Sequence, residues 1–106
     1  MNGWLILSCA GIAEIAWVVG LKYSAGFTKP LPSAFTVLAL TASMLLLGWA
    51  TRSLPIGTAY AVWTGIGAVG AAIAGILLFH ESAALLRLVC IALIVAGVAG
   101  LKLSAS

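Results

Sequence analysis

Apolar positions along this chain fall into four long runs separated by short polar punctuation. The first run is Trp4–Leu21. The second, Ser33–Thr51, opens with "KPLPS", whose two prolines exclude helix and whose Ser33 can cap the helix that follows. The third is Gly57–Phe79, after "RSLPIG", and the fourth is about Ala84–Lys102, after "HES". At a rise of 1.5 Å per residue each run makes a helix of about 27–35 Å, against a hydrocarbon core of about 30 Å. The pattern predicts an all-α integral membrane protein with four transmembrane helices. Residues 1–106 would form a single four-helix domain with three short connections and almost nothing outside the bilayer. Function must then reside among the helices.

Composition agrees. Of 106 residues, 64% are hydrophobic and 7% are charged, against roughly a quarter charged in an average soluble domain. The five basic residues are scattered, so the clustered stripe that nucleic acid requires is missing. Cys9 and Cys90 both lie in apolar runs and read as buried, reduced thiols. Nothing has zinc-ligand spacing, and no metal or cofactor is implied. "ILSC" resembles a lipoprotein cleavage box, but no Lys or Arg precedes it, so the first run is read as a permanent helix.

Basic residues set orientation in membranes. Four spans place Arg52 and Lys102 on one side and Lys22, Lys29 and Arg87 on the other. Two against three is almost no bias. Such a chain can insert either way up, which makes an antiparallel dimer possible.

The third run carries Gly67-x-x-x-Ala71-x-x-x-Gly75, a stripe of small residues that lets backbones approach closely. Gly65, Gly67 and Gly70 cluster at its centre and serve either tight packing or a hinge. The fourth run has no polar side chain between Arg87 and Lys102 except the thiol of Cys90. It reads as a helix for assembly rather than for chemistry.

The first run contains the anomaly. Glu14 is one of only two acidic residues and sits mid-span. A carboxylate there costs about 2.5–3.5 kcal/mol. It must take a proton or meet a cation in a watery cavity; the plain structural alternative is a protonated Glu gluing helices together. Leu7, Ala10, Gly11, Glu14, Trp17 and Leu21 share its helical face. In the second run Thr36 lies near the start, while Thr41 and Ser43 are the interior hydroxyls, and Ser43 lies nearest mid-membrane. In the third, Tyr60, Trp63, Thr64 and Gly67 share a face. One carboxylate, one hydroxyl and three aromatics, Trp17, Tyr60 and Trp63, can therefore line a single polar cavity suited to a cation. "HES" starts like HExxH but lacks the second His, and no nucleophile–base set or phosphate loop exists. The chain does not read as an enzyme.

"GIAEIAW", "KYSAGFTKPLPS" and "LPIGTAYAVWTGIGAVGAAIAGILLFHE" closely resemble the small multidrug resistance family of bacterial exporters, over essentially the whole chain. Trp17, "TGIGAVGAAIAG" and the terminal "GLK" resemble its guanidinium-exporting branch more than its polyaromatic-cation branch. Cys90 stands where many drug-exporting relatives have Gly. The resemblance implies an antiparallel, dual-topology homodimer in the bacterial inner membrane that exchanges protons for cations. It implies that Glu14 is the shared proton and substrate site and that Ser43 and Trp63 donate hydrogen bonds to its carboxylate. Trp17 would line the cavity, and Tyr60 would gate or orient the site. The leading reading is proton-coupled export of guanidinium and small substituted guanidiniums. The alternatives are quaternary ammonium export on the same scaffold and a non-transporting membrane subunit.

Overall fold

The computed structural model describes residues 2–104. Four helices follow in order: α1 (Gly3–Tyr23), α2 (Pro30–Ala50), α3 (Ile56–Leu78) and α4 (Leu85–Ser104). Each is long and apolar enough to cross a membrane. The chain is a multi-pass membrane protein, and the many large apolar side chains on its outer surface, such as Leu31, Leu38 and Leu45, belong in lipid.

Local chemistry sets the helix ends. Asn2 caps α1, its Oδ1 accepting from the Leu5 amide at 2.8 Å. The first loop winds around Ser24, which is fully buried; its hydroxyl donates to the Leu21 carbonyl and accepts from the Phe27 amide. Gly26 has φ 76°, a left-handed conformation that glycine adopts without strain. The start of α2 corrects the expectation drawn from "KPLPS". Lys29 is the N-cap and Pro30 lies in the first turn, so Ser33 is already helical. The first amides of a helix have no intrahelical acceptor, so the missing N–H of Pro30 and of Pro32 costs nothing there. The Ser33 hydroxyl instead donates to the Lys29 carbonyl at 2.6 Å. At the far end of α3, His80 takes φ 57°, and the amides of Phe79 and Glu81 both donate to the Gly75 carbonyl.

The spans alternate in direction. Gly3 abuts Ser53 and Leu54 in the second loop, and Tyr23 meets Phe79 with ring centroids 5.1 Å apart. The N-terminus and second loop therefore share one end, and the first and third loops share the other. Helix α1 is central: it packs along both α2 and α3, which barely meet each other, while α4 packs chiefly on α3. The core of Ile6, Leu7, Ala10, Leu47, Ala50, Ala59, Val62 and Trp63 lies toward the second-loop end. Close packing rather than hydrophobicity holds such helices together in lipid, and glycines supply the closeness. Gly11 receives Ile66, Gly70 receives Ile15, Gly20 receives Thr36 and Phe35, and Gly65 receives Val98 of α4. Helix α3 is unbroken through this cluster, so its glycines act as packing positions here.

Helix α4 has no buried residue. Its last turn touches the rest through Lys102, whose ammonium lies 5.6 Å from the Trp4 ring centroid. Cys90, expected to be buried, is exposed on this outer helix, and Cys9 is half-buried; both are free thiols.

Candidate functional site

Glu14 lies midway along α1, one turn beyond the core residue Ala10. Its side chain is 9% exposed, and its carboxyl group occupies the space where a side chain on Gly67 would begin. Glycine at position 67 is what admits the group: a built Cβ would overlap all three carboxyl atoms. Carboxyl Oε2 is buried without a hydrogen-bond partner among the described residues. One turn on, the indole Nε1 of Trp17 is likewise buried and unpartnered. Buried polar atoms are satisfied almost everywhere in native proteins, so an unpaired acceptor and an unpaired donor one helical turn apart in sequence call for an explanation. An acceptor-only carboxylate in a poor dielectric is stable only when a proton or a cation completes it.

Ser43 and Trp63 come together, but not on the carboxyl group. Trp63 Nε1 donates to Ser43 Oγ at 2.8 Å, and Ser43 Oγ donates to the carbonyl of Ala10 at 2.8 Å. Both side chains are buried. A hydroxyl has one proton, and here it goes to α1's backbone. In helical geometry the Ala10 carbonyl is also the acceptor for the Glu14 amide. The two residues thus grip the backbone one turn below Glu14, and the expected donation to its carboxylate is replaced by positioning of the helix that carries it. Tyr60 packs on Trp63 with centroids 5.7 Å apart and is itself exposed. Thr64 is exposed, as is Thr41, whose hydroxyl donates to the Val37 carbonyl. Thr36 is buried against Gly20 and donates to Pro32.

Helical spacing puts Ala10 on the Glu14 face but gives no sign of its part in the site, which it plays through its carbonyl. The pairing of Gly67 with Glu14 was accessible in part, since both fall on the faces drawn from helical spacing. Glu81 forms an ion pair with Arg87 at 2.7 Å and packs over Gly75. Among the described residues no group of three His, Cys, Asp or Glu side chains gathers that could hold a metal.

The chain is similar to known proteins over nearly its whole length. Residues 2–94 match the family model described as Small Multidrug Resistance protein. The chain is 62% identical over 101 residues to the guanidinium exporter of Escherichia coli (strain K12), covering 95% of this chain and 96% of that protein. It is 61% identical over 102 residues to the guanidinium exporter of Salmonella typhimurium (strain LT2), covering 96% and 97%. The guanidinium exporter of Citrobacter freundii is 59% identical over 101 residues, covering 95% and 96%.

Proposed function

This chain belongs to the small multidrug resistance family, and from that premise we propose that it is a proton-coupled antiporter exporting guanidinium and small substituted guanidinium cations. The observation that carries the reading is the Glu14 carboxyl, buried at mid-span against Gly67 with an unpaired oxygen. Relatives about 60% identical that are named guanidinium exporters supply the substrate class.

The chemistry follows from the carboxyl group. Guanidinium is planar, charged at every physiological pH, and presents N–H pairs that match a carboxylate bidentately. A proton and guanidinium need the same oxygens. Each therefore displaces the other, and exchange across the membrane follows from competition once the site faces the two sides in turn. Trp17 stands one turn from Glu14 and supplies a flat wall that admits a planar ion. A quaternary ammonium has no N–H donor and would leave the carboxylate oxygens unpaired.

Ser43 and Trp63 hold α1 at Ala10 and so fix the height of Glu14. Tyr60, packed on Trp63, couples that grip to the outer surface of α3. The working unit in this reading is an antiparallel, dual-topology homodimer in the bacterial inner membrane. Support comes from α4, which buries no residue in the single chain, and from the two-against-three split of basic residues between the two ends.

The test is flux. Purified protein in liposomes should move guanidinium against its gradient when a proton gradient is imposed, and tetraalkylammonium ions of increasing size should be moved progressively less. Robust coupled transport of a large quaternary ammonium with none of guanidinium would overturn the substrate assignment. Absence of any coupled flux would overturn the transporter reading.

A further inference from the structure

A cleft of about 840 Å³ opens between the last turns of α1, the C-terminal half of α3 and the start of α4, one turn beyond Glu14. We propose that it holds one anionic phospholipid, its phosphate bridging Lys22 and Arg87 and an acyl chain lying on Val18 and Ala72. This site is separate from the carboxyl site and does not depend on what that site transports.

The geometry is that of an amphiphile. Lys22 is in the last turn of α1 and Arg87 in the first turn of α4, so both cations stand at the level of the helix ends. Below them the walls are apolar side chains running toward mid-span. A free phosphate would use only the rim; a phospholipid uses both rim and wall.

Charge points the same way. The cleft carries Lys22, Arg87 and Glu81, a net charge of +1 from two cations and one anion. Lys22 is engaged only by the Phe79 ring, with its ammonium 5.8 Å from the centroid, and meets no carboxylate among the described residues. Arg87 spends one of its five N–H donors on Glu81. One phosphodiester neutralises this excess, and basic pockets between transmembrane helices bind anionic head groups in this way. A second copy of the chain is a poor occupant. Its only acidic side chains are Glu14, at mid-span, and Glu81, already paired to Arg87. A transported cation would meet net repulsion.

The experiment uses the whole protein in neutral detergent. Native mass spectrometry and thermal unfolding would be recorded with short-chain phosphatidylglycerol, phosphatidylcholine of equal chain length, and inorganic phosphate. One phosphatidylglycerol per chain should bind and raise the Tm, more tightly than phosphatidylcholine, with no effect of inorganic phosphate at equal concentration. Lys22→Gln and Arg87→Gln should each weaken phosphatidylglycerol about fivefold, from ~1 kcal/mol per surface cation. Equal binding of the two lipids, or lipid binding unchanged in both variants, would overturn the proposal. So would inorganic phosphate matching phosphatidylglycerol, which would make the cleft a simple anion site. The three-ligand comparison on the parent protein decides even where a variant fails to fold.

Discussion

The contact between Trp63, Ser43 and Ala10 makes an asymmetric demand on its members. Replacing Ser43 with Ala removes the acceptor of the Trp63 indole N–H and the donor to the Ala10 carbonyl. The carbonyl keeps its helical partner, but the buried N–H is orphaned, at about 1–3 kcal/mol. Loss of the hydroxyl's own bond adds about 1 kcal/mol. Trp63→Phe leaves no orphan. It loses one hydrogen bond, about 1 kcal/mol, and leaves a void worth about another 1 kcal/mol at ~24 cal/mol per Å³. In the double variant the orphan disappears with its donor. The combined loss should therefore fall short of the sum of the single losses by about 1–3 kcal/mol. Unfolding in SDS, followed by far-UV circular dichroism in a double-mutant cycle, measures this. Guanidinium affinity should fall in step, more in Ser43→Ala than in Trp63→Phe, since the same contact sets the height of Glu14. Additivity within about 0.5 kcal/mol would refute the bonded chain.

Three further outcomes are expected. Gly67→Ala should push the Glu14 carboxyl out of its place and weaken guanidinium binding by roughly tenfold or more, about 1.4 kcal/mol; Glu14→Asp, one methylene shorter, should recover part of the loss in calorimetric titrations of the combined variant. Trp17→Gly should loosen guanidinium and admit larger hydrophobic cations, read by side-by-side transport assays. Two Lys added at the C-terminus should bias insertion and lower activity unless an oppositely biased copy is co-expressed; cysteine labelling that reaches the parent protein from one side only would contradict dual insertion.

The four spans were legible because bilayer thickness fixes the length of an apolar run. Glu14 was legible because a mid-span carboxylate is expensive enough to need a reason. The entry to α2 escapes a reading of proline as a helix breaker, because the first turn has no amide bond to lose. The destination of Ser43's proton was beyond any side-chain pattern: its acceptor is a backbone carbonyl on another helix. The glycines at 65, 67 and 70 looked like one cluster in sequence. Helical geometry splits them, Gly65 toward α4 and Gly67 and Gly70 toward α1. Cys90 shows the opposite limit, since composition says that an apolar helix is buried in something without saying what.

Proton release on guanidinium binding reaches the heart of the mechanism, because the proton and the cation are held to compete for the one carboxyl group of Glu14. Purified protein in weakly buffered detergent solution, mixed with guanidinium, should release protons. The release should grow as pH is lowered toward the titration range of the site, while apparent affinity weakens up to tenfold per pH unit below that range. Glu14→Gln should keep its helix content and show neither binding nor release. Guanidinium binding by the Gln variant, or binding by the parent protein that does not change with pH, would contradict the mechanism.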